Sequence, residues 1–358
     1  MINFTVGPVQ ASSDIRHIAG EDVPYFRTSE FSEIMLQNEA LVKKFANAPK
    51  GSRGVFITGS GTAGMEAAVM NTLKAGRDKV LVINGGSFGE RFVEICRFHH
   101  IDCTEIKLPF GQGVRKEDLD SFEGQGYTAL LVNKNETSSG VHFDCDLLGQ
   151  FCRKNNLFFI VDAVSSFLAD EIDMAKQSID IMITGSQKAL SCAPGISLLV
   201  LSPAALHRVT ETTSASYYLD LKAALKNGER GQTPFTPAVS ILLQIHARLT
   251  GIEKDGGVRS EIKKIQELAR YFRERVKDYP FDFVCETMSN AVTALHPTTI
   301  KATELFRLMK DEYHIWICPN GGEHKDDVFR IGHLGHLTKE DYDRLFVAFD
   351  DLKKRHLI

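Results

Sequence analysis

Seven short apolar, largely β-branched runs recur along the first two hundred residues, at 55–58, 79–83, 103–108, 127–132, 157–161, 179–183 and 196–201. Several are continuous rather than alternating, which is the pattern of strands buried on both faces. Helix-like segments follow them, and their spacing of roughly 20–30 residues is that of βαβ units. The chain is therefore expected to be an α/β protein, with a parallel sheet covered by helices. After about residue 250 the texture changes. A long amphipathic stripe has apolar residues at 258, 262, 265, 268, 269, 272 and 276, and short runs follow at 281–284, 291–295, 314–317 and 328–331. A final helix is expected around Tyr342 to Leu352. This reads as a second, smaller α+β domain. With a boundary near Gly256–Gly257, the large domain spans 15–255 and the small one 256–358.

A chain of 358 residues suits that division. There are 42 Lys and Arg against 46 Asp and Glu, a net charge of −4, which argues against a protein built to neutralise nucleic-acid phosphates. Seven cysteines, at 96, 103, 145, 152, 192, 285 and 318, include no C-x-x-C, so neither a disulfide framework nor a zinc site is indicated. The pairs 96/103 and 145/152 are each seven apart and read as single helix faces. The N-terminal MINFTVGPVQ lacks a signal-peptide profile, and no apolar run approaches the ~18 residues of a membrane span. A cytoplasmic location is expected.

The stretch GVFITGSGTAGMEAAVM (54–70) places Gly59, Gly61 and Gly64 in a G-x-G-x-x-G pattern between a strand and a helix. A dinucleotide site also needs an acidic residue at the end of the next strand. That strand ends in Asn84-Gly85-Gly86, while Asp78 stands at its beginning. An NAD oxidoreductase reading is thereby weakened. The turn by itself fits either an anion cradle, with the hydroxyls of Ser60 and Thr62, or a plain strand-to-helix connection.

Two further residues decide between them. Lys188 follows an apolar strand within GSQKAL, among small residues. A lysine held partly dry there has a depressed pKa and is nucleophilic, able to form a Schiff base with an aldehyde cofactor. Asp162 ends the apolar run LFFIVD. It is either a helix-capping aspartate or, at the carboxyl edge of a parallel sheet where ligands bind, the partner of a pyridinium nitrogen. His333 and His336, three apart beside Arg330, invite a metal reading, but Gly332 and Gly335 make a helix face unfavourable there.

Taken in order, GSGTAGMEAAV, NGGSFGER, NETSSGV, VDAVSS, GSQKAL, SYYLDLK, TPFTP and FRIGHLG resemble a class V aminotransferase. The resembling branch holds the alanine–glyoxylate, serine–pyruvate and serine–glyoxylate enzymes, with aminoethylphosphonate–pyruvate aminotransferase a close relative. The resemblance covers nearly the whole chain. It implies the type I fold of pyridoxal 5′-phosphate (PLP) enzymes, with a mainly parallel seven-stranded sheet. It also implies a homodimer with active sites at its interface, and amino acid and 2-oxo acid substrates. By the same resemblance Lys188 would hold PLP and shuttle the substrate proton, and Asp162 would bind the pyridine nitrogen. Phe88 would stack on the ring, and Ser60, Gly61, Thr62 and Gln187 would hold the phosphate. Thr137 is either a donor to the ring's phenolic oxygen or a turn threonine. Gln232 and Thr236 would reach the phosphate of the neighbouring subunit. Arg330 would receive the substrate carboxylate, because its planar fork pairs two oxygens. Gly7, in the N-terminal segment 1–14, and Phe26 would lie near the substrate. Phe26 departs from the histidine common in relatives, which bears on substrate preference.

The implied activity is ping-pong transfer from a small amino acid, alanine or serine, to glyoxylate or pyruvate. A PLP lyase or decarboxylase shares the fold and stays open. Gln187, where cysteine desulfurases carry histidine, and ICPNGG around Cys318 do not match that group. A catalytically silent binding protein on this fold is disfavoured by the presence of Lys188, Asp162 and Arg330 together.

Overall fold

The seven apolar runs form one sheet in the computed structural model, which describes residues 1–358. The strands are Arg53–Thr58, Lys79–Asn84, Asp102–Lys107, Ala129–Asn133, Phe158–Asp162, Ile181–Gly185 and Ile196–Leu201. Across the sheet their order is 53–58, 196–201, 181–185, 158–162, 129–133, 79–84 and 102–107. Only Ile196–Leu201 runs antiparallel to its neighbours. The connection from Gly185 to Ile196 is too short to hold a crossover helix, so the chain turns back on itself. Lys188 lies in that turn.

Consecutive residues of a strand point to opposite faces. Leu130, Phe159 and Leu198 enter one apolar core, while Leu131, Ile160 and Leu199 enter another across the sheet. This is why the runs are continuous: either face left polar would forfeit roughly 1.5–3 kcal/mol for each large side chain exposed.

The helix Gly61–Thr72 lies very close to the sheet, and here a glycine is required. A Cβ on Gly64 would stand 2.2 Å from Ser197 Oγ and 2.9 Å from Ile183 Cγ2. The third glycine of the G-x-G-x-x-G pattern therefore serves helix–sheet packing. Asp78 is buried and paired, with Arg208 Nη1 at 3.0 Å and Arg77 Nε at 2.8 Å, so it is not available to a ribose.

The C-terminal part carries an antiparallel sheet in the order Phe281–Phe283, Val292–Pro297, Phe329–Gly332, Cys318–Pro319. The expected strand over 314–317 is shortened to Ile315–Trp316, and a separate short strand, Cys318–Pro319, follows it. Ile315–Trp316 pairs in parallel with Ile2–Asn3, and Cys318–Pro319 joins the four-stranded sheet. A third core, with Phe272, Phe281, Phe329, Tyr342, Phe346 and Phe349, is closed by Phe4 from the N-terminus. The helix Gly257–Val276 begins directly after a left-handed Gly256 (φ 100°). It gives Ile265 to the first core and Phe272 to the third, so it joins the two parts of the molecule.

Two cysteine expectations separate here. Cys145 and Cys152 share the helix Cys145–Asn155. Cys96 and Cys103 do not share a helix: Cys96 lies near the end of Ser87–Phe98, and Cys103 lies in the next strand, because His99 ends the helix between them. His333 is buried in a neutral network, its ring bonded to Thr293 Oγ1 and Tyr342 OH at 2.8 Å each, and His336 is exposed.

Candidate active site

At the carboxyl edge of the large sheet lies a cavity of about 240 Å³. Gly7, Ser60, Gly61, Thr62, Phe88, Thr137, Asp162, Gln187 and Lys188 all line it. They arrive on six separate stretches of the chain. Asp162 is the last residue of a central strand, and Lys188 follows the end of its neighbour. Ser60, Gly61 and Thr62 stand at the N-terminus of the helix Gly61–Thr72. Ser60 is its N-cap residue, yet its hydroxyl makes no capping bond. Unpaired N–H groups and a free hydroxyl at the positive end of a twelve-residue helix make a seat for an anion.

Lys188 is buried, and its Nζ donates to the carbonyl of Val6 at 2.6 Å. Burial and the nearby Arg330 cation push its pKa down to about 8, against the opposing pull of Asp162. An amine that sheds its proton near pH 8 is a usable nucleophile and base. Gly7 is fitted around this lysine. Its φ is +132°, and a Cβ there would stand 2.7 Å from Lys188 Cδ. The N-terminal segment thus passes from the third core at Phe4 to the lysine, with Val9 N donating to Gln187 O at 3.2 Å.

Asp162 is buried too. Burial raises its pKa to about 6, opposed by a 2.8 Å hydrogen bond from Val164 N and by the charges of Arg91 and Lys188. A carboxylate in this state gains from any cationic partner that enters the cavity.

Arg330 lies just beyond the cavity, on the strand Phe329–Gly332. It is buried without a carboxylate. Nη1 donates to Thr137 O at 3.2 Å and Nη2 to Pro319 O at 2.9 Å and to Cys318 Sγ at 3.3 Å. Its Nε has no partner. A buried guanidinium held only by neutral acceptors is poised for an anion. Thr137 is more than a turn threonine: its Oγ1 lies 2.8 Å from Ser165 Oγ at the cavity wall, and its carbonyl holds Arg330.

Three more expected residues lie apart from this cavity, two of which, Gln232 and Thr236, are expected at the phosphate of a neighbouring subunit. Gln232 Nε2 donates to Phe26 O (3.0 Å) and Ser32 Oγ (2.6 Å), and its Oε1 accepts from Arg27. Its amide is thus engaged in tying the 26–32 segment to its own chain. Thr236 is exposed on the outer surface beside Phe235, away from this pocket. Phe26 packs against the large core under the Arg27 guanidinium, 4.6 Å from its ring centre.

The cavity also holds residues that sequence reasoning passed over. Asn135 is 4% exposed, and neither its Nδ2 nor its Oδ1 has a partner. Arg91 lines the wall, with its guanidinium 4.7 Å from the Phe88 ring centre. Both lie in stretches that carried the family resemblance. Arg91 follows Phe88 by three residues, which places them on one helix face. Asn135 closely follows the end of a strand whose neighbours also carry site residues at their ends.

The family model described as aminotransferase class-V matches residues 24–324. An L-aspartate–glyoxylate aminotransferase from Paracoccus denitrificans is 27% identical, covering 94% of this chain and 86% of its own. A serine–glyoxylate aminotransferase from Arabidopsis thaliana is 27% identical with the same two coverages. Among solved structures, an aspartate aminotransferase of subgroup IV from Thermus thermophilus superposes with a TM-score of 0.89. It is 28% identical, with 97% of each chain covered.

Proposed function

Because this chain belongs to the class V aminotransferases, a family of PLP-dependent enzymes, we propose that it moves the amino group of a small amino acid, alanine or serine, to glyoxylate or pyruvate. The observation that carries this reading is one cavity lined by a depressed-pKa lysine, a buried carboxylate and a free helix N-terminus. PLP fits that set. Its phosphate suits Ser60, Gly61 and Thr62, with Gln187 beside them. Its ring nitrogen suits Asp162, its face suits Phe88, and the unpartnered Asn135 carboxamide and Thr137 offer donors to its polar edge. Bound there, PLP supplies the electron sink that lets a substrate Cα–H bond ionise.

The chain's own groups do the rest. Lys188 holds the cofactor aldehyde and, once freed, carries the proton to and from the substrate Cα. Asp162 keeps the ring nitrogen protonated. Arg330 takes the substrate α-carboxylate by a two-oxygen contact, and the Gly7 segment covers the lysine. The two half-reactions share one site, so the kinetics are ping-pong.

A second donor class has its own support. Arg91 lines the cavity and makes no ion pair in the chain. A cation of that kind suits the far carboxylate of a dicarboxylic donor such as aspartate. Screening alanine, serine, aspartate and 2-aminoethylphosphonate as donors against glyoxylate and pyruvate separates these readings. Production of alanine or glycine from the oxo acid supports a transaminase with the donor that gave it. Release of CO2 or ammonia without amino transfer would favour a decarboxylase or lyase instead.

We further infer a homodimer in the cytoplasm. The large domain leaves Tyr217 86% and Tyr218 48% exposed, with Phe235 against both rings and Thr236 beside it. Aromatic groups gathered on a surface of this kind mark a protein contact, and they support Thr236 facing a partner's site. No helix is long and apolar enough to cross a membrane. All seven cysteines are unpaired, which suits a reducing compartment.

A further inference from the structure

Glu136 is wholly buried, and no cation pairs with it. Five donors converge on its two carboxylate oxygens. Oε2 accepts from Phe88 N at 3.1 Å, Gly89 N at 3.1 Å and Asn133 Nδ2 at 2.9 Å. Oε1 accepts from Ser138 N at 3.1 Å and Ser138 Oγ at 2.5 Å. The N–H groups of Phe88 and Gly89 belong to the first turn of the helix Ser87–Phe98, whose N-cap residue is a glycine with no side chain to serve them. Glu136 thus caps that helix from another segment, where the helix dipole favours a negative charge.

Its neighbours give this cap a consequence for the site. The helix it caps carries Phe88. The hairpin it belongs to carries Asn135 and Thr137, and Thr137 O receives Arg330 Nη1. Asn133 ends the central strand beside the one that ends in Asp162. One carboxylate therefore joins the ring-stacking helix, the strand edge and the loop that seats the arginine.

We propose that Glu136 is a positioning residue, one that fixes the Phe88 ring and the Thr137–Arg330 contact in a common frame by accepting all five donors as a carboxylate. The roles of Phe88 and Arg330 rest on the proposed function above; the clamp itself rests on the five contacts. An amide cannot replace the carboxylate, because its –NH2 would face at least one of these donors.

Glu136→Gln tests this in the cofactor-free and PLP-loaded protein. In the cofactor-free form, hydrogen exchange at Phe88, Gly89 and Ser138 should speed by about tenfold or more, the effect of losing a charge-assisted hydrogen bond. In the loaded form, the visible circular dichroism of bound PLP should fall, and KM for the amino donor should rise by about tenfold. Unchanged exchange, dichroism and KM would overturn the proposal. So would a lowered melting temperature with KM and dichroism intact, because that is the result of a purely structural role. Should the variant not fold, Asn133→Ala and Ser138→Ala each remove one donor and should move the same readouts by less; no movement in either overturns it. If the wild type takes up no PLP, the proposed function fails, and the exchange measurement still decides whether Glu136 holds the helix and the hairpin together.

Discussion

Replacing Lys188 with methionine should stabilise the cofactor-free protein at neutral pH while removing its chemistry. The lysine is buried and its pKa is lowered from 10.5 to about 8. In the unfolded chain it stays protonated up to about pH 10.5, whereas in the folded chain it loses its proton near pH 8. Between those values the unfolded state binds more protons, so wild-type stability rises with pH. Below pH 8 the wild type carries the whole cost of a buried ammonium, about 3 kcal/mol from the 10.5-to-8 difference. Methionine carries no such cost and fills a similar volume. Its advantage should therefore be largest at pH 7 and should shrink by about 2 kcal/mol on going to pH 9.5. Loss of the bond to Val6 O offsets part of the gain by about 1 kcal/mol at every pH. The pH slope of the difference is thus the sharper test. Urea unfolding of both proteins, freed of PLP, at half-unit steps from pH 7 to 9.5 measures it. A difference that does not change with pH would refute the argument that Lys188 is held dry.

Four other outcomes follow from the site. Arg330→Lys keeps the charge but loses the fork, and KM for the amino donor should rise by about ten- to a hundredfold in steady-state kinetics. Asp162→Asn keeps the shape but cannot hold a protonated ring nitrogen. Its amino-transfer rate, followed by stopped-flow loss of the PLP absorbance, should fall by about a hundredfold or more. Gly7→Ala places a methyl group against Lys188 at a φ of +132°, so turnover should drop while far-UV circular dichroism is preserved. Asn135→Ala removes a buried carboxamide that no other group of the chain engages. The cofactor-free protein should therefore be no less stable to heat, while PLP affinity measured by titration should weaken by about tenfold.

The large sheet was legible because its inner strands are buried on both faces and must be apolar along their length. The direction of Ile196–Leu201 was less so, since periodicity reports burial and is silent on polarity of the chain. The pairing of Ile315–Trp316, within the expected run 314–317, was hidden because its partner, Ile2–Asn3, comes from the other end of the sequence. The same holds at the site. Lys188 and Asp162 stood out because each is a charged residue at or just past the end of an apolar strand. Glu136 and Asn135 sit in a polar hairpin, NETSSG, where one more polar residue attracts no notice. Their burial exists only once three segments have met. Gln232 adds a second case: its motif position suggests a contact to a neighbouring subunit's phosphate, while within its own chain its amide binds the 26–32 segment, a packing that the motif does not reveal.

The proposed chemistry requires Lys188 to be the residue that bonds to PLP. Borohydride reduction of the PLP-loaded protein, followed by digestion and mass spectrometry, reads this directly. That chemistry predicts one phosphopyridoxyl group per chain, on Lys188, and none after prior incubation with an amino donor that drains the cofactor. A label on another lysine, or no stable label in a protein that still transfers amino groups, would contradict it.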